Sequence, residues 1–251
     1  MKISVITVVY NGERTIRDCI ESVVSQTHTD IEYIVVDGAS QDATMDIVRS
    51  YGNRIQKVIS EPDKGIFDAM NKGIQNATGD VVALLNCDDL YADSEVLATV
   101  ANAFNENPDA GCAYGDLYYV EQEDIEKVKR VWKSRVYTKG LFKTGWHPAH
   151  PTFFVKKEVY DKYGVFNLTL PVSADYEIML RFLEKEHVCS VYIPKVMVRM
   201  RLGGNSNKSL KNILKGNKEV LQSWSLNGMR VPYWVFLFKP LSKLKQLIVT
   251  Q

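Results

Sequence analysis

Val81-Val82-Ala83-Leu84-Leu85 has no polar side chain and lies between Thr78-Gly79-Asp80 and Asn86-Cys87-Asp88-Asp89. A short apolar run bounded by turn residues reads as a strand buried on both faces, the kind found in parallel sheets covered by helices. The rest of the first 115 residues follows the same plan. Ile3–Val9 is a second apolar run, and residues 13–26 place Ile16, Cys19, Ile20, Val23 and Val24 at helical spacing on one face. Strands at 33–36, 56–60 and 110–114 and helices at 42–51, 67–76 and 94–105 complete the alternation. Repeated strand-helix units imply an α/β fold with a mostly parallel central sheet, flanked by helices and wound by right-handed crossovers.

The C-terminal tips of such strands share one rim, where open α/β sheets bind ligands. Here the tips are Tyr10-Asn11, Asp37-Gly38, Glu61-Pro62-Asp63 and Asn86-Cys87-Asp88-Asp89. Any one of them is accounted for as a turn, because Asn-Gly and Asp-Gly are loop chemistry. Four polar tips on one rim are better accounted for as a crevice that binds something. Adjacent carboxylates at the fourth tip offer hard oxygen ligands for a divalent cation shared with a phosphate.

Several classes drop out. The first strand-to-helix turn is Tyr10-Asn11-Gly12-Glu13, so neither GxGxxG nor GxxxxGK[ST] is present. A net charge of +1 argues against a nucleic-acid partner. Cys19, Cys87, Cys112 and Cys189 are too widely spaced for a zinc site, and a disulfide framework is not expected. The first apolar run ends at Tyr-Asn-Gly after seven residues, which fits a strand rather than a signal peptide, so the expected compartment is the cytoplasm.

After about residue 118 the alternation breaks. Residues 121–130 are a charged stretch, read as a solvated loop or hairpin, and Trp146-His147-Pro148-Ala149-His150-Pro151 is stiffened by its prolines. A strand at 152–155, a helix at 157–163, a helix from Val172-Ser173-Ala174-Asp175 to Glu186, strands at 188–193 and 196–202, and a polar helix from about Leu210 to Leu226 follow.

The chain resembles the inverting family-2 glycosyltransferases of the GT-A fold. The resemblance runs through Ile6-Thr7-Val8-Val9-Tyr10-Asn11-Gly12-Glu13, Ile34-Val35-Val36-Asp37-Gly38-Ala39-Ser40-Gln41-Asp42 and Glu61-Pro62-Asp63-Lys64-Gly65-Ile66-Phe67-Asp68-Ala69-Met70-Asn71. It continues in Leu85-Asn86-Cys87-Asp88-Asp89, Ser173-Ala174-Asp175-Tyr176-Glu177 and Gly203-Gly204-Asn205-Ser206, in order across most of the chain. It implies a nucleotide-sugar donor, usually a UDP-sugar, with Thr7, Tyr10, Asn11, Glu13 and Asp37 at the nucleobase and ribose. Asp63, Gly65, Asp68 and Asn71 would lie under the ribose and sugar, and Asn86 and Asp88 beside them. Mn²⁺ or Mg²⁺ would be held by Asp88 and Asp89, the order between the two left open. Asn86 departs from the family's usual Asp and removes one negative charge, so a weaker metal site is expected.

Asp175 matches the family's catalytic base, although an aspartate at a helix start is also a good cap. His150 is the better candidate for acceptor contact of two histidines, His147 and His150, each of which could equally line a turn. Arg199 and Arg201 either reach the diphosphate or are surface cations. Residues 1–207 are expected to form the GT-A domain, with 1–117 the nucleotide-binding half and 118–207 the acceptor side, and 208–251 a C-terminal helical extension. From Lys195 onward there are eleven Lys or Arg and one acid, Glu219. The aromatic and lysine-rich segment 233–251 suits either an interfacial helix on an anionic membrane or a helix packed on protein. Membrane contact would fit a lipid-linked saccharide acceptor, as in bacterial surface polysaccharide assembly, with the protein peripheral on the inner face of the membrane. A sugar nucleotidyltransferase and a non-catalytic nucleotide-sugar binder are the competing readings.

Overall fold

The computed structural model describes residues 1–203 and 210–232. Its first half consists of β1 (Ile3–Val9), α1 (Ile16–Val24), β2 (Ile31–Asp37), α2 (Thr44–Ser50), β3 (Lys57–Ser60), α3 (Ile66–Asn76) and β4 (Val81–Asn86). Then come β5 (Asp89–Tyr91), α4 (Val96–Glu106), β6 (Cys112–Val120), β7 (Val128–Trp132), β8 (Phe154–Lys156) and α5 (Lys157–Tyr163). The chain closes through α6 (Ala174–Leu180), β9 (Ser190–Arg201) and α7 (Leu210–Leu226).

One mixed sheet runs in the order β3-β2-β1-β4-β8-β6-β9-β5, with β7 paired to β6. Strands β1 to β4 are mutually parallel, as the alternation requires. Strand alternation sends Ile3, Val5 and Val9 into a core with α1, α2 and α4, and Ile6 and Val8 into a second core with α3, α5, α6 and α7. The register brings Val9 opposite Asp37, Asp37 opposite Ser60 and Val8 opposite Asn86, so the four tips do share a rim.

The second half departs from the expected pattern in three places. Strand β8 lies antiparallel between β4 and β6, and three residues are too few to show a period in the sequence. Strand β5 begins inside the acidic motif and pairs antiparallel with β9. The two strands expected at 188–193 and 196–202 are one strand, β9, whose register against β6 slips so that residues 193–195 face only Gly115. Pro194 sits in that slip, where no ladder hydrogen bond is asked of it. A Cβ on Gly115 would come 2.8 Å from the Lys195 carbonyl oxygen, so the close approach needs glycine. The charged stretch 121–130 is the turn and first part of the β6–β7 hairpin. The helix expected through Glu186 is α6 followed by a π-helical turn, Arg181–Lys185.

At the opposite end of the sheet Glu32 pins β2 to the start of β4. Partial burial would raise its carboxyl, but Ser4, the Thr78 N–H and hydroxyl, and Lys2 outweigh that and bring it down to about 2. Helix α7 packs directly on α6: the Trp224 indole N–H donates to the Tyr176 hydroxyl at 3.0 Å, and Glu219 accepts the Val172 and Ser173 N–H groups at 2.8 Å. Gly204, Asn205 and Ser206 of the glycine-rich loop and the segment 233–251 lie outside the described residues. Among the described residues no helix is long and apolar enough to cross a membrane.

Candidate active site

The loops after β1 and β2 are braced against each other. Asn11, at φ 50°, accepts the Gln41 N–H at 2.9 Å and donates its own N–H to the Ser40 hydroxyl at 2.8 Å. The Glu13 carboxylate accepts the Ala43 N–H at 3.0 Å, and the Gly12 N–H donates to the Thr44 hydroxyl at 2.8 Å. Asp37 is buried beneath this brace, its carboxylate accepting from the Ser60 hydroxyl at 2.6 Å and the Ser40 N–H at 3.2 Å. Above it Tyr10 is 62% exposed. A Cβ on Gly38 would lie 2.5 Å from Asp63 Oδ2 and 3.4 Å from the Tyr10 ring, so the first three tips meet at one glycine. Asp63 in turn accepts the Gly65 N–H at 2.7 Å, and Gly65 takes φ 113°, a region other residues avoid.

Three residues expected near the nucleotide have hydrogen-bond partners within the protein. Thr7 has odd parity on β1 and therefore faces α1, with its hydroxyl 3.1 Å from the Tyr33 hydroxyl and 3.6 Å from Cys19 Sγ. The Asn71 amide is spent on Phe166, donating to its carbonyl and accepting its N–H, each at 2.9 Å. Asp68 accepts the Lys64 N–H at 2.9 Å and closes the first turn of α3.

At the fourth tip Asp89 is 1% exposed. Burial, with Asp88 adding to it, pushes its carboxyl well above the ordinary range. Asn86 Nδ2 lies 3.3 Å from Asp89 Oδ2, while Asn86 Oδ1 and Asp89 Oδ1 are buried with no hydrogen-bond partner. Two orphaned side-chain oxygens beside the half-buried Asp88 carboxylate form a hard donor set that fits Mn²⁺ or Mg²⁺. Among the described residues no three His, Cys, Asp or Glu side chains group to hold a metal by themselves. The amide at 86 stands where a third acid would.

Arg199 and Arg201 both have partners within the protein. Because β9 runs beside β5, Arg201 is buried against the back of the acidic motif, donating to the Asp88 and Gln122 carbonyls at 3.1 Å each and pairing with Asp18. Arg199 pairs with Glu126 and donates to the Ile125 carbonyl at 3.1 Å.

On the acceptor side Asp175 is the second residue of α6, after Ser173 at the cap position. Its Oδ1 accepts the Tyr176 N–H at 2.8 Å, and Oδ2 lies 3.4 Å from His150 Nδ1, the two side chains being 26% and 30% exposed. His147 sits deeper, its Nδ1 2.9 Å from the Pro148 carbonyl oxygen and its ring edge-on to Trp132 and Tyr176. Tyr119 on β6 pairs with Met200 of β9, which lies opposite Asp89, and its ring stacks on Trp132, which meets His147 beside Tyr176. Burial raises its phenol, and the charge and hydrogen bond of Arg130 oppose this. Tyr119, Arg130 and Trp132 were not singled out by the sequence, since they flank a charged run with no period of its own.

Two shallow cavities of about 320 and 290 Å³ lie elsewhere, one beside Leu170 and Leu226, the other beside Tyr33 and Gln56.

The description "Glycosyl transferase family 2" matches residues 4–164. A PGL/p-HBAD biosynthesis glycosyltransferase of Mycobacterium tuberculosis is 27% identical over 209 residues, covering 81% of this chain and 78% of its own. Staphylococcus aureus TarS 1–349 in complex with UDP superposes with a TM-score of 0.67 at 19% identity, over 95% of this chain and 70% of that one. The mannosyltransferase PcManGT of Pyrobaculum calidifontis, in complex with GDP-Man and Mn²⁺, gives 0.66 at 16% identity, over 96% and 71%. The structural likenesses speak to the fold, which is that of GT-A glycosyltransferases. With most of its length matched, the chain belongs to glycosyl transferase family 2.

Proposed function

We propose that this glycosyltransferase moves a sugar from a UDP-sugar to an acceptor hydroxyl in a single inverting displacement. The observation that carries the reading is that Tyr119 pairs with Met200, itself opposite Asp89, and is joined through Trp132 and His147 to Tyr176, the neighbour of Asp175, while the strand tips bring Tyr10, Gly38 and Asp63 together. The exposed Tyr10 ring offers a stacking face for the nucleobase, beside the turn floored by Asp37. Asn11 and Glu13 hold that turn rigid, and Asp63, with Gly65, lines the ribose side.

In the displacement an acceptor oxygen bonds to the anomeric carbon while the bond from that carbon to the diphosphate oxygen breaks. The electron pair leaves with the diphosphate, and the acceptor proton passes to Asp175. Asp175 is half-exposed and keeps one oxygen toward His150, so an incoming hydroxyl can reach it. His150 is placed to orient that hydroxyl or the base. Asn86, Asp88 and Asp89 would hold Mn²⁺ or Mg²⁺, which when bound supplies charge to offset the diphosphate. With one carboxylate replaced by an amide, metal affinity in the absence of nucleotide is expected to be weak. UDP and GDP-Man complexes among the structural neighbours support a nucleotide-sugar donor of this kind.

A thermal-shift panel of nucleotide-sugars tests the reading. UDP-sugars are expected to raise the melting temperature more than GDP-sugars, and Mn²⁺ to enlarge the shift. Indifference to every nucleoside diphosphate at millimolar concentration would sink it.

The acceptor reading is a lipid-linked saccharide at the inner face of the membrane. On α7 Leu214 is 70% exposed, Ile213 is exposed beside it, and Lys215 and Lys218 flank them. Glu219, the single acid from residue 195 onward, is turned inward to Val172 and Ser173. The described outer face of α7 thus carries cations and apolar side chains together, the pattern of an interfacial helix. Cosedimentation with anionic vesicles is expected, and should fall several-fold in Leu214→Ser/Lys218→Gln. Equal pelleting with neutral vesicles would count against a charged membrane partner.

A further inference from the structure

Any diphosphate in this crevice must lie close to Asp88, Asp89 and Asp175, and a single divalent cation leaves that cluster short of positive charge. The two arginines of β9 already have carboxylate partners. Arg201 is tied to Asp18 and two carbonyls, and Arg199 to Glu126 and a carbonyl. Arg130 is different. It lies on β7 directly opposite Tyr119 of β6, with its guanidinium carbon 3.8 Å from the centre of the Tyr119 ring. Among the described residues it forms no ion pair, which sets it apart from both, and its Nε, like that of Arg199, is buried with no hydrogen-bond partner.

A half-buried guanidinium whose Nε has no acceptor is costly to keep unless something else satisfies that N–H. Its fork of N–H groups matches a phosphate in two-point contact, and the aromatic face beneath holds it flat. Tyr119, the ring that carries it, pairs with Met200, which lies opposite Asp89, and stacks on Trp132, which meets His147 beside Tyr176, the neighbour of Asp175. We propose that Arg130 is a donor-binding residue, meeting the diphosphate of the nucleotide-sugar from the acceptor-side hairpin and offsetting its charge as the sugar departs. This rests on the nucleotide-sugar reading above. A cation over an aromatic ring could also be nothing more than a clamp on the hairpin, and the two roles differ in what they do to a nucleoside without phosphates.

Titration calorimetry of uridine, UMP and UDP at fixed Mn²⁺ separates them, using the wild-type chain, Arg130→Lys and Arg130→Gln. Arg130→Gln should weaken UDP by about ten- to a hundredfold and leave uridine within about twofold, with Arg130→Lys in between. Unchanged UDP affinity in Arg130→Gln would overturn the assignment. So would parallel losses of uridine and UDP, which is what a damaged hairpin gives. A raised KM for a phosphate-bearing acceptor with UDP affinity intact would move Arg130 to the acceptor's phosphate and likewise overturn the donor role. Failure of the wild-type chain to bind uridine, UDP or GDP would instead bring down the nucleotide-sugar reading and this one with it.

Discussion

Asp175→Asn is expected to lower the transfer rate by about 10³- to 10⁴-fold while leaving nucleotide affinity within about twofold. The substitution keeps the shape of the side chain and an oxygen for the Tyr176 N–H, and removes only the capacity to take a proton. A hydroxyl is a poor nucleophile, and no other described carboxylate sits at the head of α6 facing the open side with Asp175. Glu177, two residues on, is buried and bound to Arg181 and Asn227. Helix capping gives a different forecast. Ser173 occupies the cap position, so loss of an Asp175 cap would appear as reduced stability with the rate per folded molecule unchanged. Initial rates at saturating donor, with the unfolding midpoint measured on the same sample, decide between them. A variant within tenfold of wild type would reject Asp175 as the base.

How much of this was legible in the sequence depends on the distance over which each feature is decided. The four parallel strands and their polar tips follow from local periodicity, since each strand is a run of consecutive apolar residues ending in turn chemistry. Strand β5 has three residues, and nothing local distinguishes such a piece from loop; a strand was expected at 152–155, where β8 lies, but its antiparallel place between β4 and β6 is set by its partners and not by its own residues. Turn geometry is decided locally, as at Gly65, which takes φ 113°. Contacts set by distant partners were not legible. Arg201 is committed by Asp18, 183 positions away, and Asn71 by Phe166, 95 positions away. Which arginine remains available to a ligand is therefore a property of the assembled sheet. Arg130 lay in a charged run that looked like solvated surface, while the two arginines beside the glycine-rich loop looked available.

Trp224→Ala is expected to destabilise the whole domain by about 3–5 kcal/mol and to depress activity even where the protein remains folded. Trp224 is 1% exposed and lies in the core that also contains Ala174, Tyr176, Ile178 and Phe182. Removing the indole leaves a large cavity and takes from the Tyr176 hydroxyl the donor it meets at 3.0 Å. Tyr176 is the neighbour of Asp175 and packs edge-on against Phe142 and His147. Loosening it therefore shifts the head of α6, where the proposed base is carried, and a misplacement of about 1 Å there costs about a hundredfold in rate. Trp224→Phe separates the two contributions: it keeps most of the buried ring and loses the N–H, and should cost less than Ala in stability. Urea unfolding midpoints and rates per folded molecule are the measurements. If α7 were a passive extension joined to the end of the catalytic domain, Trp224→Ala would leave both nearly unchanged, and the dependence of the site on residues after 207 would be refuted. The packing gives the opposite forecast, because Glu219 also holds the two N–H groups immediately before α6, so the helix bearing Asp175 starts where α7 sets it.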